Sequence, residues 1–302
     1  MNTFRISSSE SFDKKKYPVL ITIVFFLITA YISFFHHGFW TIFDQDGLFY
    51  LSAGRQIIVG VGENVSLLNA GPAGPVLFAS LESVLKDGLF SIKIISLLSG
   101  TGIVFFSYMV FKNIFSTKIA LVGQLFIAFN PWLGILSTSP LNDLLPIFMS
   151  ILSFYFITKK DIKLTDIIFS ASILGIAFMF RAQPIVFLFA IIVFLIILEK
   201  KPRFKIFAVT LLIVFFVLCC SPMLLYNYTV HDKMIDSNSN YYVAVHSKYY
   251  TQEWKDFLLD NMDKDSNAIF SNPDLFLKNY FYNMFYGQPS NLFGFENKVS
   301  AS

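Results

Sequence analysis

The chain is short of charge. Of its 302 residues only 14% are Asp, Glu, Lys or Arg, against 55% hydrophobic. A soluble domain carries about 25% charged residues, so this composition excludes an ordinary soluble globule and points to a chain that lives in lipid. Cysteine is nearly missing too. Cys219 and Cys220 are the only two, adjacent within an apolar run. That excludes a disulfide framework and supplies no metal-ligand spacing, so both read as lipid-facing or packing residues. Net charge is only +3. No Lys/Arg stripe is interleaved with aromatics in a polar segment, so nucleic acid is not an expected partner. Internal repeats and low-complexity tracts are missing as well. The apolar run that follows Lys16 is 22 residues long and no A-x-A site closes it. It therefore reads as an uncleaved first span rather than a signal peptide.

What is abundant is long apolar runs. A helix needs about 20 apolar residues to cross a bilayer, and residues 17–38, 90–111, 119–136, 141–158 and 204–225 are of that kind. Residues 164–198 are too long for one crossing and short for two, and "RAQP" interrupts them at 181–184. The basic segments "KKDIK" and "EKKPRFK" flank this stretch on both sides. Basic loops stay cytoplasmic, so the chain is expected to cross twice there, turning at 181–184. That makes seven spans. Residues 74–88 are apolar but short, and contain Glu82. Reading them as a non-crossing external helix leaves thirteen Lys/Arg inside and four outside before residue 226, the four being Arg55, Lys86, Lys93 and Arg181. The opposite reading inverts that bias. The helix is expected to lie on or dip into the outer leaflet. The expected fold is thus an all-α polytopic membrane protein. Residues 1–16 are a cytoplasmic tail. Residues 17–225 form a seven-span module with an external loop at 39–89, and 226–302 an external polar segment. Within that segment "TQEWKDFLLDNM" and "DLFLKNYFYNMF" read as short amphipathic helices. Two N-x-S/T sequons, at Asn64 and Asn227, fall on the external side.

Ionisable groups at membrane depth cost about 2.5–3.5 kcal/mol each on insertion scales, so where they stand is informative. On this topology His36 and His37 end the first span, and Asp44 and Asp46 open the external loop. Asp143 opens the fourth span, and Arg181 sits at the turn between the fifth and sixth. All lie at one membrane face. Plainer roles compete for each: helix capping for the three acids, snorkelling for Arg181, interfacial placement for the histidines, and a solvated face for Glu82. Asp46 and Tyr50 are four apart and share a helix face, with Arg55 beyond them. "NAGPAGP", at 69–75, is a Gly/Pro-punctuated turn into the external helix.

The pattern Asp46-x-x-x-Tyr50-x-x-x-x-Arg55 after the first span, a Pro-punctuated entry to a short external helix, and an Asp opening the fourth span resemble the GT-C membrane glycosyltransferases. The likeness is to the protein mannosyltransferase and aminoarabinose-transferase branch, over about residues 17–225. The resemblance implies transfer of a sugar from a polyprenyl (dolichyl) phosphate to an acceptor protein or glycolipid on the external face of the cell membrane, with inversion. It implies Asp46 as base, Asp44 as a weaker match, and Asp143 as a second acid. Arg181 and Arg55 would contact the donor phosphate, and Tyr50, His37 and Glu82 would line the substrate. No cofactor beyond the lipid-linked sugar is implied with certainty. Two acids at one face can hold a divalent cation, as in oligosaccharyltransferase relatives, and the metal stays open. Relatives with a Lys before the Pro-rich turn differ from this chain, which has Asn69. Family members continue with further spans where this chain reads "FGFENKVSAS", so a truncated member is an expected alternative. The other classes in contention are a transporter or lipid-handling protein and a non-catalytic partner subunit. The first is disfavoured because the span interiors carry almost no charge.

Overall fold

The apolar runs fold as helices, because in lipid the backbone must satisfy its own hydrogen bonds. The structure, a computed structural model, describes residues 16–36, 45–61, 71–198 and 202–231, with seven residues between 253 and 278. The chain divides into two units, Met1–Met234 and Ile235–Ser302. The first unit holds ten α-helices among its described residues. Helix α1 (Lys16–Tyr31) continues as a π-helix (Ile32–His36). Then come α2 (Gln45–Ile58), α3 (Ala73–Leu85), α4 (Gly88–Ile114), α5 (Thr117–Ala128), α6 (Pro131–Thr138), α7 (Leu144–Ile157), α8 (Leu164–Phe180), α9 (Pro184–Leu198) and α10 (Pro202–His231). No strand occurs among the described residues. In the second unit the described parts of both expected amphipathic segments are helical, and Lys278 pairs with Glu253 at 2.6 Å.

The helix order follows the apolar runs, but the lengths differ from seven full crossings. Three helical stretches are long and apolar enough to cross a membrane: residues 16–35, 88–114 and 204–230. A fourth counts if α5 and α6 form one span bent by 56°. That bend has a local cause. Asn130 Oδ1 accepts from the Trp132 and Leu133 amides, and Pro131 takes the first helical position, so a new helix starts inside the apolar run. Helices α7, α8 and α9 have 14, 17 and 15 residues. Their runs are cut by Asn142 and Asp143 at one end of α7 and by the break at Arg181. Helix α10 runs six residues past the expected end of the last span.

Two cores hold the bundle. Ile157, Ile167, Leu174, Ile191, Leu195 and Leu212 join α7 to α10. Phe25, Ile103, Val104, Leu133 and Leu144 join α1, α4, α6 and α7. Between α8 and α10 the backbones approach closely, and a Cβ on Gly175 would stand 2.5 Å from the Phe216 carbonyl oxygen. Small residues at such crossings are how helices pack in lipid. The outer faces stay greasy: Leu27, Phe126, Val186, Phe189 and Ile197 are each more than half exposed, as lipid contact requires. Cys220 is buried and Cys219 half-buried, both as free thiols.

Two sequence expectations change in detail. Lys93, counted above with the external loops, is buried inside α4, and its Nζ donates to the Ser33 carbonyl oxygen at 3.0 Å. That carbonyl belongs to the π-helix, which breaks the regular α ladder. Asn227 of the second sequon lies within α10 and is 6% exposed, which leaves no room for a glycan there. Asn64 lies outside the described residues. At the far ends of α7 and α8, Lys159 pairs with Asp166 at 2.6 Å, which fixes the basic "KKDIK" turn opposite the end that carries Asp143 and Arg181.

Candidate functional site

The turn at residues 140–143 is where distant parts of the chain meet. Helix α2 reaches its first residue: a Cβ on Gly47 would stand 2.1 Å from the Pro140 carbonyl oxygen, so the first turn of α2 packs there only as glycine. Ser96 of α4 donates to the Leu141 carbonyl oxygen at 3.0 Å. Asn142 is 1% exposed. Its Nδ2 donates to the Phe180 carbonyl oxygen at 3.2 Å. Its amide fills the space a Cβ on Gly74 would need. The Gly71 amide donates to the same Phe180 oxygen at 3.0 Å. Asp143 closes the turn, and its carboxylate is ion-paired with the Arg181 guanidinium.

Local sequence explains this assembly. Asp143 stands at the N-cap of α7, yet its side chain makes no capping bond; the carboxylate is turned to Arg181 instead. Helix α8 stops at Phe180 because Arg181 is extended, with φ −161° and ψ 150°, and Pro184 starts the next helix. The "NAGPAGP" turn supplies two glycines where backbone and side chain need the room, Gly71 against the Met179 carbonyl and Gly74 against Asn142. The Asp143 and Arg181 side chains are each about a quarter exposed. The pair is thus half-sunk at one end of α7 and α8, reachable by a ligand yet partly out of water. A guanidinium so placed can bind phosphate through two N–H donors.

The other expected site residues fall as follows. Asp46 is exposed on the first turn of α2, next to Gly47 and so one residue from the Pro140 contact. The helix N-terminus favours its negative charge. Tyr50 is half-buried, one turn on, against Leu51, Phe78 and Ile92. Asp44, His37 and the side chain of His36 lie outside the described residues. Arg55 and Glu82, expected at the donor phosphate and the substrate, bind each other: Arg55 Nε donates to Glu82 Oε2 at 2.8 Å and a second bond joins Nη2 to Oε1. The hydrogen bonds from Arg55 hold the Glu82 carboxyl below its ordinary range and raise the Arg55 guanidinium. Both line a groove of about 520 Å³ with Ile58, Val59, Ser80 and Lys86, and that lining shares no residue with the 140–143 turn. Among the described residues no three His, Cys, Asp or Glu converge as metal ligands.

Sequence reasoning passed over Asn142, Gly47 and Ser96. Only Asn142 carried a signal, a second polar residue beside Asp143 at the head of an apolar helix. Gly47 and Ser96 act through contacts with residues 93 and 45 positions away, which no local pattern encodes.

Comparison with known proteins adds one finding. A family model described as dolichyl-phosphate-mannose-protein mannosyltransferase matches residues 69–226, just over half of the chain. The match runs from the turn before α3 into α10, so it takes in Asn142, Asp143 and Arg181 and leaves out α2. No curated protein and no solved structure matches.

Proposed function

Since the chain belongs to the dolichyl-phosphate-mannose-protein mannosyltransferase family of membrane glycosyltransferases, we propose that it moves a sugar from a polyprenyl-phosphate donor to an acceptor hydroxyl at the membrane face that carries Asp143 and Arg181. The observation that carries the reading is the Asp143–Arg181 pair. An arginine and an acid 38 residues apart meet at one end of α7 and α8, within a turn that the first turn of α2 also touches.

The chemistry follows from what such a donor needs. The bond that breaks joins the anomeric carbon to a phosphate oxygen, and the electron pair leaves with the polyprenyl phosphate. Arg181 holds that phosphate and balances its growing charge, with Asp143 fixing the guanidinium from the other side. The bond that forms joins the acceptor oxygen to the anomeric carbon from the opposite face, with inversion. The acceptor hydroxyl is a weak nucleophile until a carboxylate takes its proton. Asp46 is that base: exposed, and one residue from the contact between α2 and the 140–143 turn. If Asp44 joins Asp46 in holding a divalent cation, chelation of the wild type abolishes transfer.

The same reading takes the chain across the membrane seven times, with residues 1–16 inside and 226–302 outside. The thirteen-to-four division of basic residues supports it. So do the two charged ends of α7 and α8, one basic and one with the Asp143–Arg181 pair. At about 1.5 Å per residue α7, α8 and α9 are about 21–26 Å long, so the bilayer thins around them or flanking residues complete the crossing.

The test uses purified protein in lipid nanodiscs with dolichyl-phosphate-mannose labelled in the sugar as first probe. Loss of label from the lipid, with release of dolichyl phosphate only when acceptor is present, is the expected result. Donor that stays intact across a panel of polyprenyl-phosphate sugars and acceptors counts against an enzyme and favours a carrier or partner subunit.

A further inference from the structure

We propose that Asn142 is a positioning residue for sugar transfer, setting the Arg181 guanidinium for the donor phosphate through the carbonyl of Phe180. The proposal rests on the reading of Arg181 as the donor-phosphate residue.

Asn142 and Asp143 are consecutive, and so are the two residues they grip. Asn142 Nδ2 donates to the Phe180 carbonyl oxygen, and Asp143 pairs with the Arg181 side chain. The Phe180 carbonyl and the Arg181 amide belong to one planar peptide unit. Holding the Phe180 oxygen therefore fixes the plane from which the Arg181 backbone and side chain depart. Arg181 has left the helix and is extended. The last rung of α8 holds only the N–H side of this plane, where the Arg181 amide donates to the Ala177 carbonyl oxygen at 3.3 Å. On the other side the next helical donor would be residue 184, a proline with no N–H, and the Asn142 and Gly71 donors hold the Phe180 oxygen instead.

Packing alone does not account for an asparagine here. Its side chain is 1% exposed, and Oδ1 has no hydrogen-bond partner among the described residues. A buried acceptor without a donor is a cost that an apolar side chain avoids. Leucine has nearly the same shape and would fill the space left by Gly74. What leucine lacks is the N–H for Phe180. The retained group is the one that reaches the residue before Arg181. The fold does not hang on this bond alone, because the Gly71 amide still satisfies the same carbonyl when Asn142 is gone.

The experiment is a double-mutant cycle on the full chain in nanodiscs, with donor and acceptor KM measured separately for dolichyl-phosphate-mannose transfer. Asn142→Leu is expected to raise donor KM about five- to tenfold, the scale of one buried hydrogen bond, with acceptor KM unchanged. In an Arg181→Ala background the same substitution is expected to change donor KM less than about twofold, since a residue that acts through Arg181 has nothing left to position. If Leu proves too bulky beside Gly74, Asn142→Ala removes the same donor without adding volume and is read in the same way. Full additivity with Arg181→Ala, an equal rise in both KM values, or an unchanged donor KM overturns the proposal. Should Arg181→Ala alone leave donor KM unchanged, the donor-phosphate reading fails first and the positioning role falls with it.

Discussion

Asp46 stands where two roles compete, and one substitution separates them. As a helix cap it would be replaced almost without loss by asparagine, which caps about as well. As a base it cannot be, since asparagine takes no proton. Asp46→Asn is therefore expected to lower transfer by about 10²–10⁴-fold, with folded yield and donor binding unchanged. Asp44→Asn should cost less, and turnover of the Asp46 variant within a few-fold of wild type would leave that acid as a cap. Equal collapse of both variants, with loss of activity on adding chelator to wild type, would indicate a shared cation. At Arg181 the contrast is between a fork and a point charge. Arg181→Ala should weaken donor binding in a filter or fluorescence assay more than it lowers thermal stability, and Arg181→Lys should restore only part of it. That Asp143 and Arg181 share one end of the bundle was legible in the sequence, because two consecutive apolar runs joined by one short turn bring the start of the first beside the end of the second. Asn142 was not, because its role depends on a carbonyl 38 residues away.

Between elements, glycines and one ion pair join α2 to α3. A Cβ on Gly54 would stand 1.9 Å from the Pro75 carbonyl oxygen. Gly54→Ala must push the helices apart, and a loss of about 1–3 kcal/mol is expected, read as a drop in Tm. No change in Tm would mean that α2 and α3 are not packed at that crossing. The Arg55–Glu82 pair gives a pH signature. Glu82 has its carboxyl held below the ordinary value. The pair's contribution is thus present above about pH 4.3, the unfolded range, and is lost as pH falls through the lower folded value. Arg55 is 59% exposed, so the contribution should stay below about 1 kcal/mol. The Tm difference between wild type and Glu82→Gln is expected at pH 7 and should vanish toward pH 3. A difference that grows on acidification contradicts the pairing. Helix order, and the break at 181–183, were readable from apolar runs and the Arg-x-x-Pro interruption. The bend at Asn130-Pro131 was equally present in the residues but hidden under hydropathy, since a cap and a first-turn proline leave the mean apolarity unchanged.

At the scale of the molecule, sidedness ties structure to function. On the proposed seven-span topology, the basic-residue bias puts the 140–143 turn, and with it the proposed transfer, at the face opposite the cytoplasm. Single cysteines at Ser66, Ser139 and Ser266 should react with an impermeant thiol reagent from outside, and cysteines at Ser116 and Thr165 should not. Labelling at Ser116 from outside would mean that α3 crosses the bilayer and that every later loop changes sides. The most direct measurement joins this labelling to chemistry. Protein is sealed into proteoliposomes with labelled dolichyl-phosphate-mannose in the membrane, and acceptor is supplied on one side only. Sugar transfer is predicted only when acceptor is on the side from which Ser139→Cys is labelled, and to be lost in Asp46→Asn. Transfer from the Ser116 side, or from neither side while donor is bound, would contradict a glycosyl-transfer site built on Asp46, Asp143 and Arg181.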